Sequence, residues 1–159
     1  MLCTGKSGGG TKGGGSACPP VPRAAPTDKG PCPYTVNIAR AAAQNRSFRT
    51  ALWTGKYLQL TLMSLGRGED IGLEVHPCTD QFICIVQGKC TVKMGNAKNS
   101  LNLTSAVCAG CAVFIPAGTW HNVINTGASP LKLYSIYAPA QHPFGTVQKT
   151  KKDAKATEK

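Results

Sequence analysis

Ionisable side chains are scarce in the middle of this chain, and their placement is uneven. Between positions 34 and 145 the carboxylates are Glu69, Asp70, Glu74 and Asp80, all inside one stretch of twelve residues. The whole chain has three histidines, His76, His121 and His142. Glu74 and His76 lie two apart in the run GLEVH, so on a strand both side chains leave the same face. If that face lines an enclosed interior, a carboxylate and an imidazole converge where the dielectric is low. An unpaired carboxylate is costly there, and a divalent cation removes the cost. A buried, hydrogen-bonded Glu–His pair is the alternative that spacing alone leaves open. Gln81 follows across Pro77-Cys-Thr-Asp80, a turn that can bring the next strand back beside the first. Glu74 is also a candidate base, although a carboxylate bound to a metal makes a poor one, and Asp80 is the other acid nearby.

A second half-site lies in GCAVFIPAGTWHNVIN, residues 110–125. Gly110 opens a strand, Pro116-Ala-Gly118 makes a tight turn, and His121 begins the returning strand. Gly118 can take positive φ while Pro116 fixes its own φ, which gives His121 a defined direction. Cys78, two after His76, is within reach of the same place as a thiolate, but as a turn residue its side chain is expected to point outward. Cys111 is expected to be an ordinary strand residue, and His142, in QHPFG, to pack in a turn at the surface. Tyr134, Tyr137, Phe82, Phe114 and Trp120 are candidates to line a cavity or to fill a core.

The elements that must position these residues are mostly strands. From Tyr57 onward, short runs of strand-favouring residues are punctuated by Gly, Asn and Pro: 57–65, 72–76, 81–87, 89–94, 102–108, 112–116, 120–125 and 131–138. Around eight short strands at this spacing point to a sandwich or barrel, not a parallel α/β sheet. A short helix is expected near Asn37–Asn45, where an alanine-rich run favours it. Residues 1–33, rich in Gly, Pro, Ser and Lys, and the Lys-rich residues 148–159 are expected to be solvated, disordered tails around one domain at 34–147.

Composition narrows the function further. The net charge is +11, and more than half of the excess sits in residues 1–33 and 146–159. No interleaved aromatic and basic surface accompanies those charges, which argues against a nucleic-acid role, while a positive field favours anionic small molecules as ligands. No apolar run approaches the roughly 20 residues that a membrane span needs. The amino-terminal segment has no continuous apolar stretch of the secretory type, so a cytoplasmic location is expected. The eight cysteines form no zinc-knuckle pattern of paired CxxC, and free thiols are expected in preference to disulfides.

Residues 110–125 match the second cupin motif, G(X)5PXG(X)2H(X)3N, at Gly110, Pro116, Gly118, His121 and Asn125. The first motif, G(X)5HXH(X)3-4E(X)6G, anchored on Gly88, places its histidines on Glu74 and His76 and its glutamate on Gln81. From Pro33 to Val147 the chain resembles small single-domain bacterial cupins often labelled mannose-6-phosphate isomerase-like. The runs FRTALWTGKYLQLTLMS, GEDIGLEVHPCTDQFI and LKLYSIYAPAQHPFGTV carry the likeness. The resemblance implies an all-β double-stranded β-helix, a form of jelly-roll barrel, and a homodimer formed through the closing strands. It also implies a metal site of Glu74, His76, Gln81 and His121, in which Glu-x-His…Gln stands for His-x-His…Glu. Two imidazoles, a carboxylate and an amide oxygen suit divalent Fe, Mn, Ni or Zn, with the neutral glutamine weakening the hold. Two functions follow as expectations. One is a small metalloenzyme of isomerase or oxygenase type, acting on a carbonyl or sugar-like small molecule. The other is a non-catalytic module that binds a metal and a small ligand, since one cupin fold hosts many unrelated activities.

Overall fold

The computed structural model describes residues 28–157. Helix α1 (Ile38–Gln44) is capped by Asn37, whose side chain accepts from the Arg40 N–H at 2.9 Å. Nine strands follow: β1 (Arg49–Thr54), β2 (Gln59–Leu65), β3 (Asp80–Gln87), β4 (Lys89–Gly95), β5 (Leu103–Cys108), β6 (Ala112–Ile115), β7 (Trp120–Asn125), β8 (Leu131–Ala138) and β9 (Val147–Gln148). Helix α2 (Lys151–Thr157) comes last. The strands form two antiparallel sheets, one of six in the order β6-β3-β8-β2-β1-β9 and one of three in the order β5-β4-β7. This is the double-stranded β-helix that the strand pattern and the motifs led us to expect.

The core lies between the sheets, where alternate side chains of each strand turn inward. The register of β2, β8 and β3 sorts those side chains by polarity along the barrel. Met63, Leu133 and Ile85 stand in one row, with Leu65 and Leu131 beyond them. Toward the other end, Thr61 and Ser135 share a row with Ile83, and Gln59, Tyr137 and Gln81 share the next. All of these residues are buried. The barrel therefore has a dry apolar end and an end where buried polar groups need partners. The outer face of the large sheet is covered too, because Ala42 of α1 packs on Leu52 and Leu62 with Leu60, Val86 and Tyr134 around them.

Several expectations change. β1 carries no clean alternation because four of its six residues are buried. The run GLEVH forms no extended strand; Glu74 makes a single antiparallel bridge to His121. The carboxy-terminal segment is structured where a solvated tail was expected: Gln148 lies in β9, and α2 buries Ala154 in the main core. Residues 28–33, assigned to the other tail, are also tied down at Asp28. Its buried carboxylate accepts from Gly30 N at 3.0 Å, Thr54 Oγ1 at 2.6 Å and Gly145 N at 3.0 Å. The rest of that tail, residues 1–27, and residues 158–159 lie outside the described residues. Cys32 is disulfide-bonded, against the expectation of free thiols, whereas Cys78, Cys84, Cys90, Cys108 and Cys111 are free. Among the described residues no helix is long and apolar enough to cross a membrane.

Candidate metal centre

His121 is the second residue of β7, and it is wholly buried. Its direction is set by the turn before it, as the motif suggested. Gly118 takes φ +80° and donates its N–H to the His76 carbonyl at 2.8 Å, so one turn ties the two histidine segments together. Asp80, read as a spare acid, instead braces this turn by accepting from Ala117 N at 2.8 Å. Glu74 and His121 then exchange both backbone hydrogen bonds, at 3.0 and 2.9 Å. A bridge residue and the residue two beyond it suffice to bring Glu74 and His76 together, without a strand.

The three side chains meet at one point. Glu74 Oε1 lies 3.3 Å from His121 Nε2 and 3.4 Å from His76 Nε2. One donor atom from each residue falls within 4.8 Å of the others. His121 Nδ1 sits 2.9 Å from the Thr119 carbonyl, which can only accept, so Nδ1 carries the proton and Nε2 offers a lone pair. Nε2, turned toward the Glu74 carboxylate, is thus the nitrogen open to a cation or a second proton. Burial raises the Glu74 carboxyl, but the His121 and His76 imidazoles and the Arg49 guanidinium outweigh it and hold it down at about 2. Glu74 is therefore an anion at neutral pH.

Gln81 begins the inward row of β3, beside Tyr137, whose ring is 5.6 Å from that of His76. Its Nε2 donates to Ser135 Oγ at 3.0 Å, which leaves the amide oxygen as an acceptor. Glu74 Oε1, His76 Nε2, Gln81 Oε1 and His121 Nε2 are all buried without a hydrogen-bond partner. Each such orphan costs on the order of 1–3 kcal/mol. A single proton relieves one Glu–His contact, whereas a cation among Glu74, His76 and His121 accepts from all three. Ligands about 2.1 Å from a shared ion stand at most about 4.2 Å apart, which the two short contacts satisfy. The gathered donors, two imidazoles with a carboxylate, suit a borderline divalent ion.

A cleft of about 700 Å³ opens over Glu74 and His76, walled by His142, Phe144, Gln148 and Thr157 among others. His142 packs in a turn, as expected, and faces inward. Its ring packs edge-on against Tyr137 at 5.1 Å, and burial, aided by Arg49, lowers it to about 3, so it is neutral. Its backbone is held by Gln59, whose Nε2 donates to the His142 carbonyl at 2.8 Å while Oε1 accepts from His142 N at 2.9 Å. Arg49, a residue with no motif to mark it, is 1% exposed and donates from Nη1 to Gln148 Oε1 at 3.0 Å. Of the aromatics, Tyr137 reaches the interior. Phe82 stacks with Phe114 at 5.1 Å and with Tyr134 at 6.2 Å, and Phe114 is 72% exposed, so these three lie outside the barrel. Cys78 is exposed and stands apart from the Glu–His–His group.

Two motifs meeting across an antiparallel barrel to gather Glu, His and His define the class: the chain belongs to the cupin family. The Cupin domain model matches residues 61–137. The chain is 65% identical over 131 residues to the uncharacterized protein YrkC of Bacillus subtilis (strain 168), covering 82% of this chain and 70% of YrkC. It is 41% identical over 116 residues to the uncharacterized protein L612 of Acanthamoeba polyphaga mimivirus, covering 72% of this chain and 70% of that one. The crystal structure of BH2720 from Bacillus halodurans superposes with a TM-score of 0.81 at 57% identity, covering 82% of this chain and 98% of that chain.

Proposed function

We propose that this cupin is a metal-dependent enzyme acting on a small anionic molecule that carries a carbonyl or hydroxyl group. The observation that carries this reading is the meeting of three buried, unpartnered donors, Glu74 Oε1, His76 Nε2 and His121 Nε2, with Glu74 and His76 lining an open cleft; the reading adds Gln81 Oε1, also buried and unpartnered, as the fourth. A divalent ion held by these residues, Fe, Mn, Ni or Zn, would supply Lewis acidity to an oxygen of the bound molecule. The chain supplies the rest. Glu74, held at about 2, is too weak a base to take a proton from carbon at neutral pH. His142, fixed on the cleft wall by Gln59 and Tyr137, is a neutral imidazole lowered to about 3, too weak a base for the same reason as Glu74, and in this reading it orients the bound molecule by hydrogen bonding. The reaction in this reading is of isomerase or oxygenase type. Arg49, bonded to the cleft residue Gln148, and the net charge of +11 support an anionic substrate. A homodimer belongs to the same reading, supported by the exposed Phe114 on edge strand β6.

One observation favours the second reading, a non-catalytic metal and ligand module: Glu74 is the sole carboxylate among the described residues that line the cleft. The two separate in heavy water. Metal-loaded protein is incubated with sugar phosphates and with 2-hydroxy and 2-oxo acids, and NMR follows deuterium entering next to the carbonyl. Metal-dependent exchange that His121→Ala abolishes supports the enzyme. Saturable binding with no exchange in any compound leaves the binding module standing.

A further inference from the structure

The free cysteines are absorbed by nothing in the metal centre, and three of them gather near the end of the small sheet away from His121. Cys108-Ala-Gly-Cys111 forms the turn from β5 to β6. The Cys111 N–H donates to the Cys108 carbonyl at 3.0 Å, and Gly110 takes φ +88°. A turn with positive φ at its third residue is of type II, and its end Cα atoms lie within about 7 Å. A disulfide needs its Cα atoms at about 4.4–6.8 Å, so the turn holds the two backbone positions about as close as a disulfide spans. The turn is also pinned to β3, since Gly110 N donates to the Ile85 carbonyl at 2.8 Å and Ile85 N to the Cys111 carbonyl at 3.0 Å.

Accessibility orders the pair. Cys108 is exposed, Cys111 is half-buried, and Cys90 is buried beneath, on β4. Lys89 stands in register with Cys108 across β4 and β5, so both side chains share a face. Together with residues 127–129 they line a hollow of about 460 Å³. Cys90 is excluded as a reactive partner, because burial, with the nearby Cys111 and Cys108, pushes it up to about 11.

We infer that Cys108 and Cys111 are a reversible dithiol–disulfide centre that reacts with small anionic disulfides such as glutathione disulfide. The Cys108 thiolate attacks one sulfur of the oxidant, expelling one thiolate and leaving a mixed disulfide. Cys111, as thiolate, then attacks Cys108 Sγ and expels the second thiol. The cysteine pair loses two electrons and two protons, and the oxidant's S–S bond is reduced to two thiols. The centre is separate from the proposed metal chemistry and stands without it.

The test incubates the full-length protein with glutathione disulfide, alkylates the remaining thiols and maps the peptides by mass spectrometry. The expected result is the loss of two free thiols, one peptide lighter by two hydrogens that contains Cys108 and Cys111, and full reversal by dithiothreitol. Cys111→Ser is expected to stop at a glutathione adduct on Cys108, and Cys90→Ser to behave as the parent chain. No reaction, a lasting adduct on Cys108 in the parent chain, or a bond from Cys108 to Cys90 or Cys78 overturns the inference. So does a two-hydrogen loss that survives in Cys111→Ser.

Discussion

Replacing Gln59 with leucine removes the side chain that holds Gln141 and His142 of the cleft wall in place. Gln59 is fully buried, and its amide is used at both ends. Nε2 donates to Thr54 Oγ1 at 2.9 Å and to the His142 carbonyl at 2.8 Å, while Oε1 accepts from Gln141 N at 3.2 Å and His142 N at 2.9 Å. Leucine fills nearly the same volume, so the barrel keeps its packing. Three backbone groups at Gln141 and His142 then lose their partner, at roughly 1 kcal/mol each. The apolar side chain offsets part of this, and the net loss is about 2–3 kcal/mol. Urea unfolding followed by circular dichroism, with a chelator present to remove any metal contribution, gives the change. Hydrogen exchange at the Gln141 and His142 amides should accelerate in the native state at the same time. A loss under about 0.5 kcal/mol, with both amides as protected as before, would refute the idea that Gln59 sets the position of His142.

Two further predictions concern pH and backbone strain. His142 is lowered to about 3 in the folded chain, so below its ordinary 6.5 the unfolded chain binds the proton first and stability falls as pH drops. At pH 5 this amounts to about 2 kcal/mol for the metal-free protein, above the window in which Glu74 contributes; urea midpoints of the parent chain and His142→Phe should converge there, and parallel curves would count against it. Gly118→Ala places a side chain at φ +80° in open space and should cost about 1 kcal/mol, whereas Gly95→Ala drives its Cβ into the Ser100 carbonyl and should cost more. Thermal melts that rank the two the other way would contradict this account.

The part of the site legible from sequence is the part encoded locally. Pro116, Gly118 and His121 lie within six residues, and one turn sets the direction of His121. Glu74 and His76 were picked out by spacing, and the spacing worked for a different reason, a single bridge to His121 in place of a strand. What escaped notice depends on distant partners. Arg49 is held by Gln148, 99 positions away, and a charged residue in a strand is otherwise read as surface. His142 is held by Gln59, 83 positions away, and its own neighbours say only that it sits in a turn. β1 was not recognised because a strand buried on both faces loses the period of two. Helix α2 hid behind its lysines, although Ala154 packs into the core and Lys151 pairs with Asp70.

The account rests on one cation gathered by four side chains, and elemental analysis of the purified chain addresses it directly. The parent protein should carry about one divalent ion per chain. Alanine in place of Glu74, His76, Gln81 or His121 should strip that metal in at least three of the four variants, each still folded by circular dichroism. Metal content equal to that of the parent in all four variants would contradict the centre and leave Glu74 and His76 as a buried pair in a cupin barrel.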